Sequence, residues 1–336
     1  MVKKIAIAFA VLFILAWEAS AGTLAEVKKR GLLVCGSGLG LAGFGLPDGQ
    51  GRWAGFDVDF CRAIAAAIFG DAGKVKFVPL APKDRFQALR SGQIDVLASN
   101  TTWTLSREAG QDLLFAGVIY YDGQGFMAPK KLNITSVMEL SGTSICVQQS
   151  TTSELNLGDF FQVNSMTYKP AGFATADEAI KAYDSGRCQV YTADMAALYA
   201  GRLALADPEA SIVLPEIISK EPLGPVVRQG DDHWFNIVKW VGLAMVNAEE
   251  LGVTSKNVDE KAKSESPDVR RLLGFEGNFG EAMGLDSDWA YRIIKLVGNY
   301  GEVFDHNLGE NSPLKIKRGM NALWSKGGLL YAPPIR

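Results

Sequence analysis

The feature that most constrains the fold is a segment that occurs twice. Residues 89–100 read LRSGQIDVLASN and residues 183–194 read YDSGRCQVYTAD. Each is a helix end, a Ser-Gly stop, a short apolar strand and then a polar residue. Ser91/Ser185, Gly92/Gly186 and Val96/Val190 are identical. That identity alone is weak; the shared order of helix, glycine and strand argues for two similarly built lobes. The flanking chain agrees. Residues 32–35 read as a strand, and residues 56–69 as a helix with Phe56, Phe60, Ile64 and Ile68 on one face. Residues 75–78 read as a strand, 84–90 as a short helix closed by Gly92, and 94–97 as a third strand. Later, residues 143–148 read as a strand, and 152–161 and 177–183 as helices. Short strands alternating with amphipathic helices predict an α/β fold.

Both repeats end in polar groups just past a strand: Ser99, Asn100, Thr101 and Thr102 in one, Thr192 and Asp194 in the other. Ligands of open α/β sheets sit beyond the carboxyl ends of strands. Two lobes offering such ends to each other enclose a cleft. Ordinary strand-to-loop caps are the alternative.

Lys3 and Lys4 precede an unbroken apolar run over residues 5–17, and Ala19-Ser20-Ala21 follows as a small-x-small cleavage pattern. Residues 1–21 therefore read as a cleavable secretory signal, too short in its apolar part to span a bilayer comfortably. No later stretch is long and apolar enough to span, so a soluble, exported mature protein is expected. The net charge of −3 argues against a phosphate-backbone partner, and nucleic acid is not expected to bind. Two histidines leave little room for a His-rich metal site, and neither a metal nor a cofactor is expected. The four cysteines, Cys35, Cys61, Cys146 and Cys188, form no CxxC. An even count in an oxidising compartment favours two disulfides over four buried thiols.

Gly38-Leu39-Gly40-Leu41-Ala42-Gly43 matches the GxGxxG pattern. A dinucleotide site also requires that the motif open a helix. Turn formers follow instead, so a flexible loop at the cleft rim is expected. Arg107 stands at a loop-to-helix junction, and its planar guanidinium suits a carboxylate; a surface ion pair is the bland reading. Thr151 and Glu154 fit a capping box, which leaves the backbone N–H groups near Thr152 for an anion. Asp194 follows a buried strand and needs a partner, either a ligand ammonium or a structural cation. Asn100-Thr101-Thr102 and Asn133-Ile134-Thr135 match the glycosylation sequon. The patterns GxSxG, HExxH, the P-loop and the EF-hand loop are absent from the sequence.

From residue 23 to the C-terminus the chain resembles the periplasmic solute-binding proteins of amino-acid ABC importers, family 3. The likeness is strongest to the general L-amino-acid binders. The segments that carry it are GRWAGFDVDFCRA, SNTTWTLSRE, YYDGQGFM, EPLGPVVRQGDD and DWAYRIIKLVGNYGEVF. The resemblance implies a two-lobed periplasmic-binding-protein fold, a ligand cleft between the lobes and a two-segment hinge near residues 120–122 and 219–222. Lobe 1 would comprise residues 22–120 and 223–336, and lobe 2 residues 121–222. It also implies that Arg107 clamps the α-carboxylate, helped by Thr102 and the N–H of Thr152. Asp194 would take the α-ammonium, helped by Ser99, Asn100 or Thr102. Pairing Cys35 with Cys61 and Cys146 with Cys188 keeps each bridge within one lobe and leaves the hinge free.

The implied function is capture of L-amino acids in the periplasm and delivery to the membrane permease of an ABC importer, by a monomer without enzymatic activity. Basic-amino-acid binders of the family carry an acid and an aromatic where Gly38 and Leu41 stand here. Broad specificity is therefore expected. The alternative is a preference for glutamate, glutamine, aspartate and asparagine, with Trp103 and Phe44 narrowing the pocket. An exported dehydratase on the same fold would need a general acid or base in the cleft. His233 falls in a lobe 1 helix, His306 in the C-terminal part, and Glu154 reads as a cap, so no catalytic residue is assigned. A sensor that docks on a receptor is a further alternative. Trp289, Tyr300 and Trp324, in the extension past residue 274, read as packing aromatics.

Overall fold

The computed structural model describes residues 22–336; the expected signal lies outside the described residues. The chain lays down β1 (Leu33–Ser37), a hairpin of β2 (Leu46–Pro47) and β3 (Trp53–Ala54), then β4 (Val75–Pro79), β5 (Val96–Leu97) and β6 (Leu113–Phe115). It crosses over as β7 (Tyr120–Asp122). It continues as β8 (Gln124–Pro129), β9 (Ser144–Gln148), β10 (Lys169–Phe173), β11 (Val190–Asp194) and β12 (Ser211–Val213). It returns as β13 (Glu221–Leu223) and adds β14 (Val226–Arg228) to the first sheet.

The two main sheets share one topology. Their strand orders are β4-β1-β5-β14-β6 and β10-β9-β11-β8-β12. In each, the first three strands are parallel and the last two pair antiparallel. The helix Phe56–Phe69 follows β1 and its hairpin, as Thr152–Val163 follows β9; Arg85–Arg90 follows β4, as Ala176–Asp184 follows β10. The strand over residues 94–97 is shorter than the sequence suggests, with only Val96 and Leu97 in the ladder. Asp95 stands at its start: its N–H still donates to the Val34 carbonyl at 2.9 Å, while its carboxylate accepts from the Val34 N–H at 2.7 Å and pairs with Arg30.

Lobe 1, the part built on the first sheet, has the larger core. Phe56, Phe60 and Ile64 pack with Trp234 and Val238 of the helix Asp232–Glu250, and with Ile293 and Phe304 of the C-terminal helices Trp289–Leu296 and Tyr300–Asn307. Trp289 and Tyr300 are buried as expected, but Trp324 is half exposed; its indole N–H donates to Glu250 at 3.2 Å. Lobe 2 divides its core between the two faces of its sheet, one around Phe126 and Phe161 and the other around Met127 and Tyr191.

Disulfides join Cys35 of β1 to Cys61 of the following helix, and Cys146 of β9 to Cys188 just before β11. The hinge strands β7 and β13 pair antiparallel, with Glu221 opposite Asp122. The C-terminal extension reaches this ribbon. Asn321 accepts from the Tyr121 N–H at 2.6 Å and donates to the Tyr121 carbonyl at 3.0 Å, as a neighbouring strand would. The Tyr300 hydroxyl donates to the Ile119 carbonyl at 2.8 Å.

Candidate functional site

Where the two sheets face each other there is a cleft of about 340 Å³. Its size lies at the small end of ligand pockets, roughly 300–1,000 Å³. Ser99, Asn100, Thr102 and Arg107 line it from lobe 1, and Thr152 and Asp194 from lobe 2. All the residues picked out from the sequence as ligand-binding candidates thus meet in one cavity.

The lobe 1 side grows out of the end of β5. Asn100 adopts φ +33, a region that asparagine tolerates better than most residues. Its N–H donates to the buried Asp57 carboxylate at 2.6 Å, and Asp57 stands in the first turn of the helix Phe56–Phe69. Thr104 caps the next helix, Leu105–Gly110, accepting from the Arg107 N–H at 3.3 Å. The Arg107 side chain folds back, with Nη1 donating to the Thr102 carbonyl at 2.7 Å and the guanidinium 5.5 Å from the Phe86 ring centre. These contacts hold the fork in place beside the cavity.

The lobe 2 side pairs the end of β11 with a helix N-terminus. The Ser153 hydroxyl donates to Asp194 at 3.4 Å. The Thr151 hydroxyl accepts from the Glu154 N–H at 3.3 Å, which forms half of the expected capping box. The Glu154 carboxylate accepts from Ser150 N–H at 2.9 Å instead of from the cap residue.

Charge is segregated across the cleft. Burial first, then the carboxylates of Asp122 and Glu221, push the Asp194 carboxyl well above the usual range, while the Ser153 hydroxyl and Arg107 oppose this. Burial lowers Arg107, against the attraction of Glu221 and Asp194. A cation brought beside Asp194, or an anion beside Arg107, would relieve each group of part of its desolvation cost. An α-amino acid offers both.

Sequence reasoning missed Arg85. It opens the helix Arg85–Arg90, lines the cleft, and donates from Nη1 to the Ser99 carbonyl at 3.2 Å. Its Nε is buried without a partner. Burial and the charge of Arg107 bring it down to about 9, against Asp194 and Asp57. A signal was present: a cation in the first turn of a helix opposes the helix dipole and needs another reason to be there. Glu221 was missed as well, because its partners are far away in the chain.

Trp103 and Phe44 do not narrow the pocket. Trp103 stacks on Phe115 at 5.7 Å and bonds Glu108, while Phe44 is buried against Phe56 and Tyr120. Leu39, Leu46, Leu80 and Pro82 supply the apolar lining, alongside Gly38 and Leu41 of the glycine-rich loop. A Cβ at Gly38 would lie 3.4 Å from the Ser99 hydroxyl. Asp194 lines the cleft, as expected, with a raised carboxyl. His233 and His306 do not line the cleft. Among the described residues there is no cluster of three or more potential metal ligands, and no helix is long and apolar enough to cross a membrane.

Two α/β lobes of one topology, joined by paired crossover strands around a small polar cleft, define a two-lobed solute-binding protein. Residues 33–257 match the bacterial extracellular solute-binding proteins, family 3, and the chain belongs to that family. It is 56% identical over 333 residues to the general L-amino acid-binding periplasmic protein AapJ of Rhizobium johnstonii, covering 98% of each chain. It is 52% identical over 324 residues to the glutamate/glutamine/aspartate/asparagine-binding protein BztA of Rhodobacter capsulatus, covering 96% of each. A solved ABC transporter/periplasmic binding protein from Brucella ovis with glutathione bound superposes with a TM-score of 0.93 at 56% identity, covering 94% of this chain and 100% of that one. These relatives are binding proteins by name, not enzymes.

Proposed function

We propose that this protein captures L-amino acids in the periplasm and delivers them to the permease of an ABC importer. The observation that carries the reading is the facing of Arg107 and Asp194 across one cleft, from opposite lobes. Arg107 would clamp the α-carboxylate, with Thr102 and the N–H of Thr152. Asp194 would hold the α-ammonium, with Ser99 and Asn100 as further acceptors. The lobes, residues 22–120 with 223–336 and residues 121–222, would close about β7 and β13. The protein works as a monomer, without catalysis, after export by its signal.

Broad specificity follows from the side-chain end of the site, where Gly38 and Leu41 offer neither an acid nor an aromatic plate. A pocket without committed polar groups separates side chains by only about 1–3 kcal/mol per methylene. One observation favours the narrower reading. The unpartnered Nε of Arg85 would suit a second carboxylate or an amide carbonyl, as in glutamate, glutamine, aspartate and asparagine. Glutathione carries a free amino-acid head and belongs in the same test. Calorimetric titration of the mature protein with all twenty L-amino acids and glutathione decides between them. Several polar and aliphatic amino acids binding within about a hundredfold supports the broad reading. One amino acid leading all others by more than about a thousandfold, roughly 4 kcal/mol, overturns it. Binding of none removes the proposal.

A further inference from the structure

Glu221 is among the most buried charged side chains of the molecule, 1% exposed, and it lies on the returning hinge strand β13. A buried carboxylate is costly unless its lone pairs are filled. Here they are filled from both lobes. Oε2 accepts from the Thr102 hydroxyl of lobe 1 at 2.5 Å and from the Thr152 hydroxyl of lobe 2 at 2.8 Å. Oε1 accepts from Asn156 Nδ2 of lobe 2 at 2.7 Å and from the Ser219 hydroxyl at 2.7 Å. The two threonine hydroxyls lie 3.3 Å apart.

The backbone shows which of these bonds can open. The strand carrying Glu221 is tied to the Thr102 loop by two backbone hydrogen bonds. Trp103 N–H donates to the Pro222 carbonyl at 2.8 Å and Gly224 N–H donates to the Thr101 carbonyl at 3.0 Å, and together they form the antiparallel bridge between Thr102 and Leu223. Glu221 falls in the hinge segment counted with lobe 2, but its strand is therefore anchored to lobe 1. Thr152 and Asn156 ride on the helix Thr152–Val163 of lobe 2. Swinging that helix away from the cleft has to break both of its bonds to Glu221.

We propose that Glu221 is a positioning residue that holds the two lobes closed. It reaches from the lobe 1 side of the hinge to Thr152 and Asn156 of lobe 2, and fixes Thr102 and Thr152 at the base of the cleft. The consequence for ligand binding rests on the reading of the cleft as an amino-acid site; the consequence for lobe separation does not. Charge-assisted hydrogen bonds are about twice as strong as neutral ones, so a residue acting only in the closed state slows ligand release. Association, which takes place in the open state, is left nearly alone.

The test uses Glu221→Gln and Asn156→Ala in the mature protein. Asn156 does not line the cleft. Stopped-flow fluorescence gives kon and koff for whichever L-amino acid the wild type binds. Paired spin labels, one on an exposed site of each lobe, give the distribution of lobe separations without ligand. Glu221→Gln is expected to raise koff about 10- to 100-fold while kon changes less than about threefold. Asn156→Ala should raise koff less, in the same direction. Both should widen the distance distribution toward open forms. A koff within about twofold of wild type in folded Glu221→Gln, or equal losses through kon, overturns the proposal. So does an unchanged distance distribution in both variants. If the wild type binds no amino acid, the amino-acid reading fails and the distances still decide the role of Glu221.

Discussion

The two lobes are one sheet built twice, and the same strand end is used twice with opposite charge. The loop after β5 leads to Thr102 and Arg107, while its counterpart, the end of β11, carries Asp194. The next pair of elements repeats the contrast. Arg85 opens the helix after β4, and Asp177 stands in the first turn of the helix after β10; both line the cleft. A duplicated framework brings two equivalent points face to face, and their divergence in charge produces a site for a zwitterion. The packing divides differently. Each lobe packs a core on both faces of its sheet, but lobe 1 adds C-terminal helices to one of its two and is fastened to the hinge through Asn321 and Tyr300, whereas lobe 2 has no such addition. Recognition is therefore shared evenly between the lobes, and bulk is not.

The sharpest way to break the comparison is to remove one charge at a time. Arg107→Ala and Asp194→Ala should each weaken amino-acid binding by about thirtyfold to several thousandfold, since removing one member of a buried charge pair costs about 2–5 kcal/mol. Melting temperatures should stay close to wild type. A folded Asp194→Ala protein with near-wild-type affinity would take Asp194 out of the site.

The disulfides probe the lobes separately. They close chain separations of 26 and 42 residues. On the loop-entropy account each contributes about 3–4 kcal/mol. Replacing either pair with serine should lower the denaturation midpoint and leave affinity nearly unchanged, because each bridge lies within one lobe. A large loss of affinity at full folding would mean that a bridge controls the hinge. Non-reducing peptide mapping checks the pairing.

Arg85 sharpens the comparison at the side-chain end. Arg85→Ala should weaken glutamate and aspartate about 10- to 150-fold, the worth of a charge-assisted hydrogen bond, and alanine much less. Equal losses for all three would make Arg85 a structural cation.

The smallest effect expected is that of pH. The cleft holds Asp194 with a raised carboxyl, and Asp122 beside it is pushed up to about 7 by burial. A ligand ammonium requires ionised Asp194, so binding releases a proton, and affinity should fall as pH drops. The stability of the empty protein runs the other way. Asp57 and Asp122, both raised to about 7 in the fold, contribute stability that is present below the unfolded carboxylate pKa and lost as pH rises through about 7. Calorimetry in buffers of different ionisation enthalpy measures the proton release, and thermal melts as a function of pH measure the stability.

Much of this pairing was legible in the sequence. The repeat at residues 89–100 and 183–194 carried both strand ends, and local rules carried the elements around them. Phe56, Phe60, Ile64 and Ile68 mark the helix Phe56–Phe69 to the residue, because its buried face follows a period the sequence displays. What the sequence hid depends on distant partners. Asp95 reads as an ordinary strand residue, whereas in the fold its side chain takes the Val34 N–H and pairs with Arg30. Glu221 gains its meaning from Thr102 and Thr152, which lie 119 and 69 residues away. Trp103 looked free to enter the pocket, but Phe115 and Glu108 hold it elsewhere. Direction of a side chain, unlike its periodicity, is set by tertiary contacts.

The central claim is that equivalent ends of two like sheets grip the two charges of one amino acid. Calorimetric titration of the mature protein with a bound L-amino acid, its decarboxylated amine and its deaminated acid tests it most directly. The account predicts that each analogue loses at least about thirtyfold in affinity, the amine for lack of a partner to Arg107 and the acid for lack of one to Asp194. An amine or acid that binds within about threefold of the parent amino acid would contradict it.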